Sequence, residues 1–170
     1  MAGGLTIDGV TKAEAPAIRD LLTAAFGGPA EADLVDALRA GGFVALELAA
    51  RDETGPAGYL AFSRLAVAAP NERRRALCLA PLAVRPDRQR RGIGTALVRE
   101  GLARLEASDE DIVLVLGDPA YYGRFGFRPG RPDRMETPYP HPENQWLVLK
   151  DRPLPLRLAL QYPPPFAALG

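Results

Sequence analysis

Apolar residues recur along the chain with two different periods, and the switches between them mark out the elements. A short stretch from Leu5 to Val10 reads as a strand. Ile18, Leu21, Leu22, Ala25 and Phe26 then fall three and four apart and make one apolar face of a helix. Thr11 stands before it with Glu14 three residues on, the pairing of a capping box, and Gly27, Gly28 and Pro29 break it. A shorter helix follows from Glu31 to Ala40, with Leu34, Val35 and Leu38 inward and Gly41 and Gly42 as its stop. Phe43 to Ala50 and Ala57 to Val67 read as adjacent antiparallel strands across the turn-rich Arg51 to Pro56.

Ala68 to Arg75 leads into a long apolar strand, Ala76 to Val84. Pro81 lies inside it, and because proline cannot donate to a sheet ladder a bulge is expected there. Helical spacing returns with Ile93, Leu97, Val98, Gly101, Leu102 and Leu105. Ile112 to Leu116 is continuously apolar, as in a strand covered on both faces, and the strand–helix–strand order predicts that it runs parallel to Ala76–Val84. A last strand is expected at Gln145 to Lys150. The tail after Asp151 is proline-rich, and Pro163-Pro164-Pro165 reads as resistant to regular structure. The 170 residues amount to one domain, with no internal repeat and no second domain.

Composition removes several function classes. Lys plus Arg and Asp plus Glu both number 21, and this balance argues against general nucleic-acid binding. Lys12 and Lys150 are the only lysines, which with the high Ala, Gly and Pro content reads as genomic composition bias. Cys78 is the single cysteine, so no internal disulfide forms, and a reducing compartment is compatible. With no basic leader and no stretch long enough to span a membrane, a cytoplasmic protein is expected. One cysteine and one histidine make a metal site improbable.

The candidate chemistry gathers between Leu79 and Leu105. Gly92 and Gly94 sit where the chain turns into a helix, whose first N–H groups lack partners and carry the positive end of the dipole. Glycine leaves that end open to an anion, and Arg88, Arg90 and Arg91 add charge beside it, so the stretch reads as a phosphate site. No P-loop string occurs, and a dinucleotide fingerprint fits poorly because several residues separate Val84 from Gly92 and Leu97 takes the sixth position.

Gln89-Arg90-Arg91-Gly92-Ile93-Gly94 resembles the Q/R-x-x-G-x-G/A loop of the GNAT superfamily of N-acetyltransferases. Gly58-Tyr-Leu-Ala-Phe-Ser63 and Leu79–Val84 look like that family's third and fourth strands. Gly117-Asp-Pro-Ala-Tyr-Tyr-Gly-Arg-Phe-Gly-Phe127 resembles the segment after its fifth, in wording most like the YhbS-like branch of predicted acetyltransferases. The resemblance covers roughly residues 1–150, with 151–170 as a proline-rich extension packing on or trailing from the same domain. It implies a mixed α/β (α+β) fold, a mostly antiparallel central sheet splayed at a parallel strand pair and flanked by helices.

It further implies acetyl-CoA as cosubstrate and an amine acceptor, either a small molecule or a protein. The pyrophosphate would lie on the amides from Arg90, Arg91, Gly92, Ile93 and Gly94 to Thr95, with Gln89 shaping the loop. Leu82, Ala83 and Val84 would offer backbone groups to the pantetheine arm, and a bulge near Pro81 would free an N–H for the thioester oxygen. Tyr122 stands four residues before Gly126-Phe127, where the family places the tyrosine that protonates the departing thiolate; Tyr121, Phe125 and Phe127 read as a packing cluster. The loop between the first two helices would line the acceptor site. Such folds commonly dimerise, and a homodimer is carried over from the resemblance alone.

Some relatives use a glutamate on the fourth strand as general base, but Ala76–Pro81 holds no carboxylate. Asp118, Glu47, Glu72 or an ordered water are left as candidates, and none is assigned. His141, between prolines, reads as a surface-loop residue, Cys78 as a packed one, and Arg73-Arg74-Arg75 as a solvated turn able to attract an acidic acceptor. A non-catalytic acyl-CoA-binding module, or the same enzyme type with a propionyl or succinyl donor, are the alternatives.

Overall fold

A computed structural model of the chain describes residues 4–69, 73–130, 133–150, 153–155 and 157–169. Among these, the strands are β1 (Thr6–Gly9), β2 (Val44–Asp52), β3 (Gly55–Ala68), β4 (Ala76–Val84), β5 (Ile112–Leu116), β6 (Arg128–Pro129), β7 (Met135–Glu136), β8 (Asn144–Val148) and β9 (Leu158–Gln161). The sheet runs β1-β2-β3-β4-β5-β8-β6, and β9 joins the far end of β3 and also pairs with β7. Helices α1 (Ala15–Phe26) and α2 (Ala30–Ala40) cover one face and α3 (Ile93–Glu106) the other.

Alternation along the strands explains this layering. Leu60, Phe62, Leu77, Leu79, Val113 and Val115 share a buried cluster with Ile93, Leu97 and Leu102 of α3. Their neighbours Tyr59, Ala61 and Ala83 turn to the opposite face and pack against Ile18, Leu22 and Val35 of α1 and α2. Helix α3 seats very close: a Cβ at Gly101 would come within 2.7 Å of the Phe62 ring, and one at Gly58 of β3 within 2.8 Å of Ile93 and Leu97.

Two departures from a regular sheet position the site. β4 and β5 are parallel, as expected, but pair only at Ala76/Ile112, Leu77/Val113 and Cys78/Leu114. Beyond Cys78 the strands diverge, and β4 from Leu79 to Val84 pairs with β3 alone. The expected bulge is present. Leu60 faces Leu82 and Phe62 faces Leu79, so Ala80 and Pro81, joined by a cis peptide, stand opposite the single residue Ala61.

The proline-rich tail departs from its reading. Leu158 and Leu160 of β9 are buried against the end of β3, and Pro164–Leu169 forms a 3₁₀-helix with Phe166 buried. Proline suits the first turn of such a helix, where its fixed φ is preset and its missing N–H has no acceptor to lose. Pro163 C=O accepts from Phe166 N–H at 3.1 Å. The two-residue strands β6 and β7 are too short to show a period.

The capping box at Thr11 and Glu14 forms, and it doubles as a tie to the sheet. Glu14 accepts from Thr11 N at 2.9 Å and from Arg51 Nη2 of β2 at 2.7 Å. The Arg51 hydrogen bond is the main reason the Glu14 carboxyl is held down from 4.5 to about 2, burial opposing it. Since the folded value lies below the unfolded one, the stabilisation is complete above about pH 5 and fades as pH falls towards 2. Glu14→Gln is expected to remove about 1 kcal/mol at neutral pH and to flatten stability across that window in pH-dependent thermal melts. Gly101→Val is expected to cost about 1–3 kcal/mol in denaturant unfolding, because α3 must lift from Phe62.

Candidate active site

The glycine-rich turn is built on the open end of β4. After a 3₁₀ turn at Pro86–Arg88, Arg90 takes a left-handed φ of 63° and Gly92 one of 78°, and Gly92 caps α3. Arg90 is the only non-glycine with positive φ among the described residues. A helix of this length leaves its first N–H groups without intrahelical acceptors, and the first turn closes with Ala96 N donating to Gly92 C=O at 3.0 Å. Gln89 braces the turn, its Nε2 donating to Val84 C=O at 3.1 Å.

Val84, Gln89, Arg90, Gly92, Ile93, Gly94 and Thr95 line one cleft of about 400 Å³. Arg91 is exposed outside that lining. Leu82 and Ala83 lie along β4 behind it, Leu82 against the α3 face and Ala83 buried beneath α1, while their backbone belongs to the edge that β5 leaves open.

Arg88 behaves differently from its reading. Its Nε donates to Asp52 Oδ2 at 2.7 Å and its Nη1 to Asp87 Oδ2 at 2.9 Å, so its charge is engaged in the β2–β3 turn region and not in the cleft. Arg90 and Arg91 make no ion pair among the described residues.

After β5 the chain forms a short helix, α4 (Pro119–Tyr122), capped by Asp118 Oδ1 accepting from Ala120 N at 2.9 Å. Its two tyrosines diverge. Tyr121 lines the cleft, its hydroxyl 3.5 Å from Thr95 Oγ1 and its ring 4.7 Å from the Arg124 guanidinium, which lines the cleft too. The packing reading of Tyr121 is therefore incomplete, and Arg124, which carries no motif of its own in the sequence, joins it in the cleft. Their spacing of three within a helical turn was the available signal.

Tyr122 does not line this cleft. Half-buried, it packs on Gly117, where a Cβ would fall 2.5 Å from its ring, and on Phe127 with ring centroids 5.8 Å apart. Burial, with a smaller contribution from Tyr121, pushes its phenol up to about 12. It stays protonated at neutral pH.

A second cavity of about 430 Å³ opens at the strand divergence and extends over the α1/α2 face. Ala80, Leu114 and Leu116 form its floor, and Tyr139, Tyr162 and Phe166 its wall. The loop between α1 and α2 does not line it. His141 stands exposed at the rim, with Nδ1 accepting from Glu143 N at 3.1 Å, which leaves the proton of the neutral ring on Nε2. Cys78 also lines this cavity, and burial pushes its thiol up to about 12. Of the carboxylates considered as base, Asp118 is a helix cap and Glu47 accepts from Tyr59 Oη at 2.7 Å and Arg39 Nη2 at 2.9 Å. Glu72 lies outside the described residues. In the arginine run, Arg74 is buried, not solvated, and Arg75 pairs with Glu110 at 3.3 Å.

Residues 6–130 match the family model described as an acetyltransferase (GNAT) domain. The chain belongs to the GNAT family. It is accordingly an acyltransferase that takes acetyl-CoA as cosubstrate. The uncharacterized N-acetyltransferase YjhQ of Escherichia coli K12 is 38% identical over 143 residues, covering 81% of this chain and 79% of its own. YhbS of the same strain, also named an uncharacterized N-acetyltransferase, is 39% identical over 136 residues, 79% of this chain and 80% of its own. The E. coli YhbS crystal structure in complex with CoA superposes with a TM-score of 0.89 at 34% identity, over all of this chain and 96% of that one. A Brucella melitensis GNAT acetyltransferase in complex with acetyl-CoA gives 0.78 at 31% identity, over 96% and 98%. Among the described residues no group of three or more His, Cys, Asp or Glu could hold a metal ion, and no helix is long and apolar enough to cross a membrane.

The GNAT cleft and the arginine pairing together separate two substitutions. Arg90→Ala is expected to weaken acetyl-CoA binding about five- to tenfold in calorimetric titration, through loss of a charge-assisted contact. Arg88→Ala is expected to lower the melting temperature and leave that affinity unchanged.

Proposed function

We propose that this GNAT protein transfers the acetyl group of acetyl-CoA to a primary amine by direct attack in a ternary complex, in the cytoplasm. The observation that carries the reading is one coincidence. The N-terminus of α3, where Gly92 supplies no side-chain cap, and the unpaired edge of β4 open side by side, which suits a ligand with an anionic end and an amide-bearing arm.

Residues Arg90 to Thr95 hold the pyrophosphate through their amides, with Tyr121 and Arg124 completing the cleft, and Leu82 to Val84 present backbone groups to the arm. Gln89 keeps the turn docked on Val84. The bulge at Ala80–Pro81 supports a backbone donor aimed at the developing oxyanion. What acetyl-CoA supplies is an acetyl group on sulfur: the C–N bond forms as the C–S bond breaks, the amine gives up a proton and the thiolate takes one. Tyr122 Oη, held protonated by burial, carries the proton for that thiolate.

Tyr122→Phe is expected to lower kcat about a hundredfold while calorimetric affinity for acetyl-CoA stays unchanged. Unchanged turnover would remove Tyr122 from the mechanism, and wild-type protein that binds acetyl-CoA but acetylates no amine would favour a non-catalytic acyl-CoA-binding module. Gly92→Glu places a β-carbon at a left-handed φ and a negative charge beside the pyrophosphate, and is expected to weaken binding at least about tenfold.

A further inference from the structure

The cavity over the α1/α2 face opens at the same strand divergence as the proposed cofactor edge, but from the opposite side of the sheet. No Asp, Glu, Lys or Arg is among the described residues lining it. Its wall is an edge-to-face series: Tyr139 and Tyr162 stand with ring centroids 5.1 Å apart, Tyr162 and Phe166 5.4 Å apart. The loop bearing Tyr139 is pinned by Asn144 Nδ2, which donates to Tyr139 C=O at 2.8 Å. This wall comes from residues 139–169, beyond the stretch that matches the family model at 6–130.

We propose that this cavity admits the acceptor, and that the acceptor is a small aromatic amine of low basicity. The proposal rests on the acetyl-CoA-dependent reading above. An ammonium ion entering this largely apolar cavity loses hydration with no carboxylate among the described lining residues to replace it, which favours an amine that arrives neutral. An alkylamine with a pKa of about 10.4 is neutral in fewer than roughly one molecule in a thousand at pH 7, whereas a weakly basic amine is neutral throughout. Among the described residues that line the cavity there is no carboxylate to take the proton, and Glu143, between His141 and Asn144, is exposed outside the lining. Asp118 caps a helix, Glu47 is held by Tyr59 and Arg39, and His141 keeps its Nδ1 lone pair on Glu143 N–H.

The aromatic wall sets the second half of the specificity. Ring edges and faces at these spacings receive a further ring in the same geometry, each pair contributing about 0.5–1.5 kcal/mol beyond its buried area. A cavity of about 430 Å³ falls within the size range of small-ligand sites. In the reaction the neutral nitrogen forms the C–N bond to the acetyl carbon as the C–S bond breaks. The nitrogen's proton leaves to water and Tyr122 protonates the thiolate.

The test measures coenzyme A release by the full-length protein at saturating acetyl-CoA, with aniline and 4-methylaniline set against phenethylamine, lysine, spermidine and glutamate. The anilines are expected to give kcat/KM at least about tenfold above lysine, spermidine and glutamate, with phenethylamine between. Leu169→Glu, at the 41% exposed rim, and Tyr162→Ala are each expected to lower aniline kcat/KM at least fivefold and to leave acetyl-CoA affinity unchanged. Preference for lysine, spermidine or glutamate overturns the proposal, as does aniline turnover indifferent to both substitutions, or acetyl-CoA binding with no aniline turnover. Wild-type protein that fails to bind acetyl-CoA at all would instead remove the reading beneath it.

Discussion

The loss of pairing between β4 and β5 after Cys78 is the constraint on which the rest of the molecule depends. Two parallel strands that stayed in register to their ends would close the sheet and leave no polar edge inside the protein. Here β4 is held by β3 alone from Leu79 onward, and the bulge at Ala80–Pro81 changes its register on the side where it is still held. Unpaired backbone groups near a core are costly unless something satisfies them, and on the proposed reading the amide groups of the cofactor arm do so. Helix α3 starts beside the same opening because the turn from Arg85 to Gly92 is short, and Gly101 and Gly58 let the helix settle tightly against β3.

Charge is distributed in a way that the bare count conceals. The chain has as many basic as acidic side chains, and much of the arginine is paired in networks that brace turns: Arg88 with Asp52 and Asp87, Arg51 with Glu14, Arg39 with Glu47. What reaches the cleft at the start of α3 is the small remainder, Arg90 and Arg124, set beside helix N–H groups. Positive potential in that cleft therefore gathers at one helix end, while much of the arginine braces the scaffold.

The larger elements were legible in the sequence because they are long enough to display a period. The two N-terminal helices, the β2–β3 hairpin, the parallel strand and the bulge at Pro81 all stand where the residues predict them, with ends shifted by a residue or two. The cleft was legible for a different reason: glycine spacing at a strand–helix turn restricts the backbone to few conformations. What escaped reading was tertiary. Strand β9 is four residues long and acquires its identity only from the edge of β3 that it covers. Arg88 looks like its neighbours in sequence, and only the fold brings Asp52 under it. Tyr121 and Tyr122 are adjacent in the chain, yet α4 sends one to the cleft and the other against Gly117.

Trp146 gives the strand arrangement a further consequence. It is the only tryptophan in the chain, nearly buried on β8, directly across from Leu114 in the β5–β8 ladder. Leu114 in turn forms part of the floor beneath Tyr139, Tyr162 and Phe166. The protein thus carries its one tryptophan a single strand away from the cavity walled by Tyr139, Tyr162 and Phe166, with those two tyrosines packed on the same cluster. Its emission is an optical reporter that the fold has already installed, reading one side of the sheet without a label.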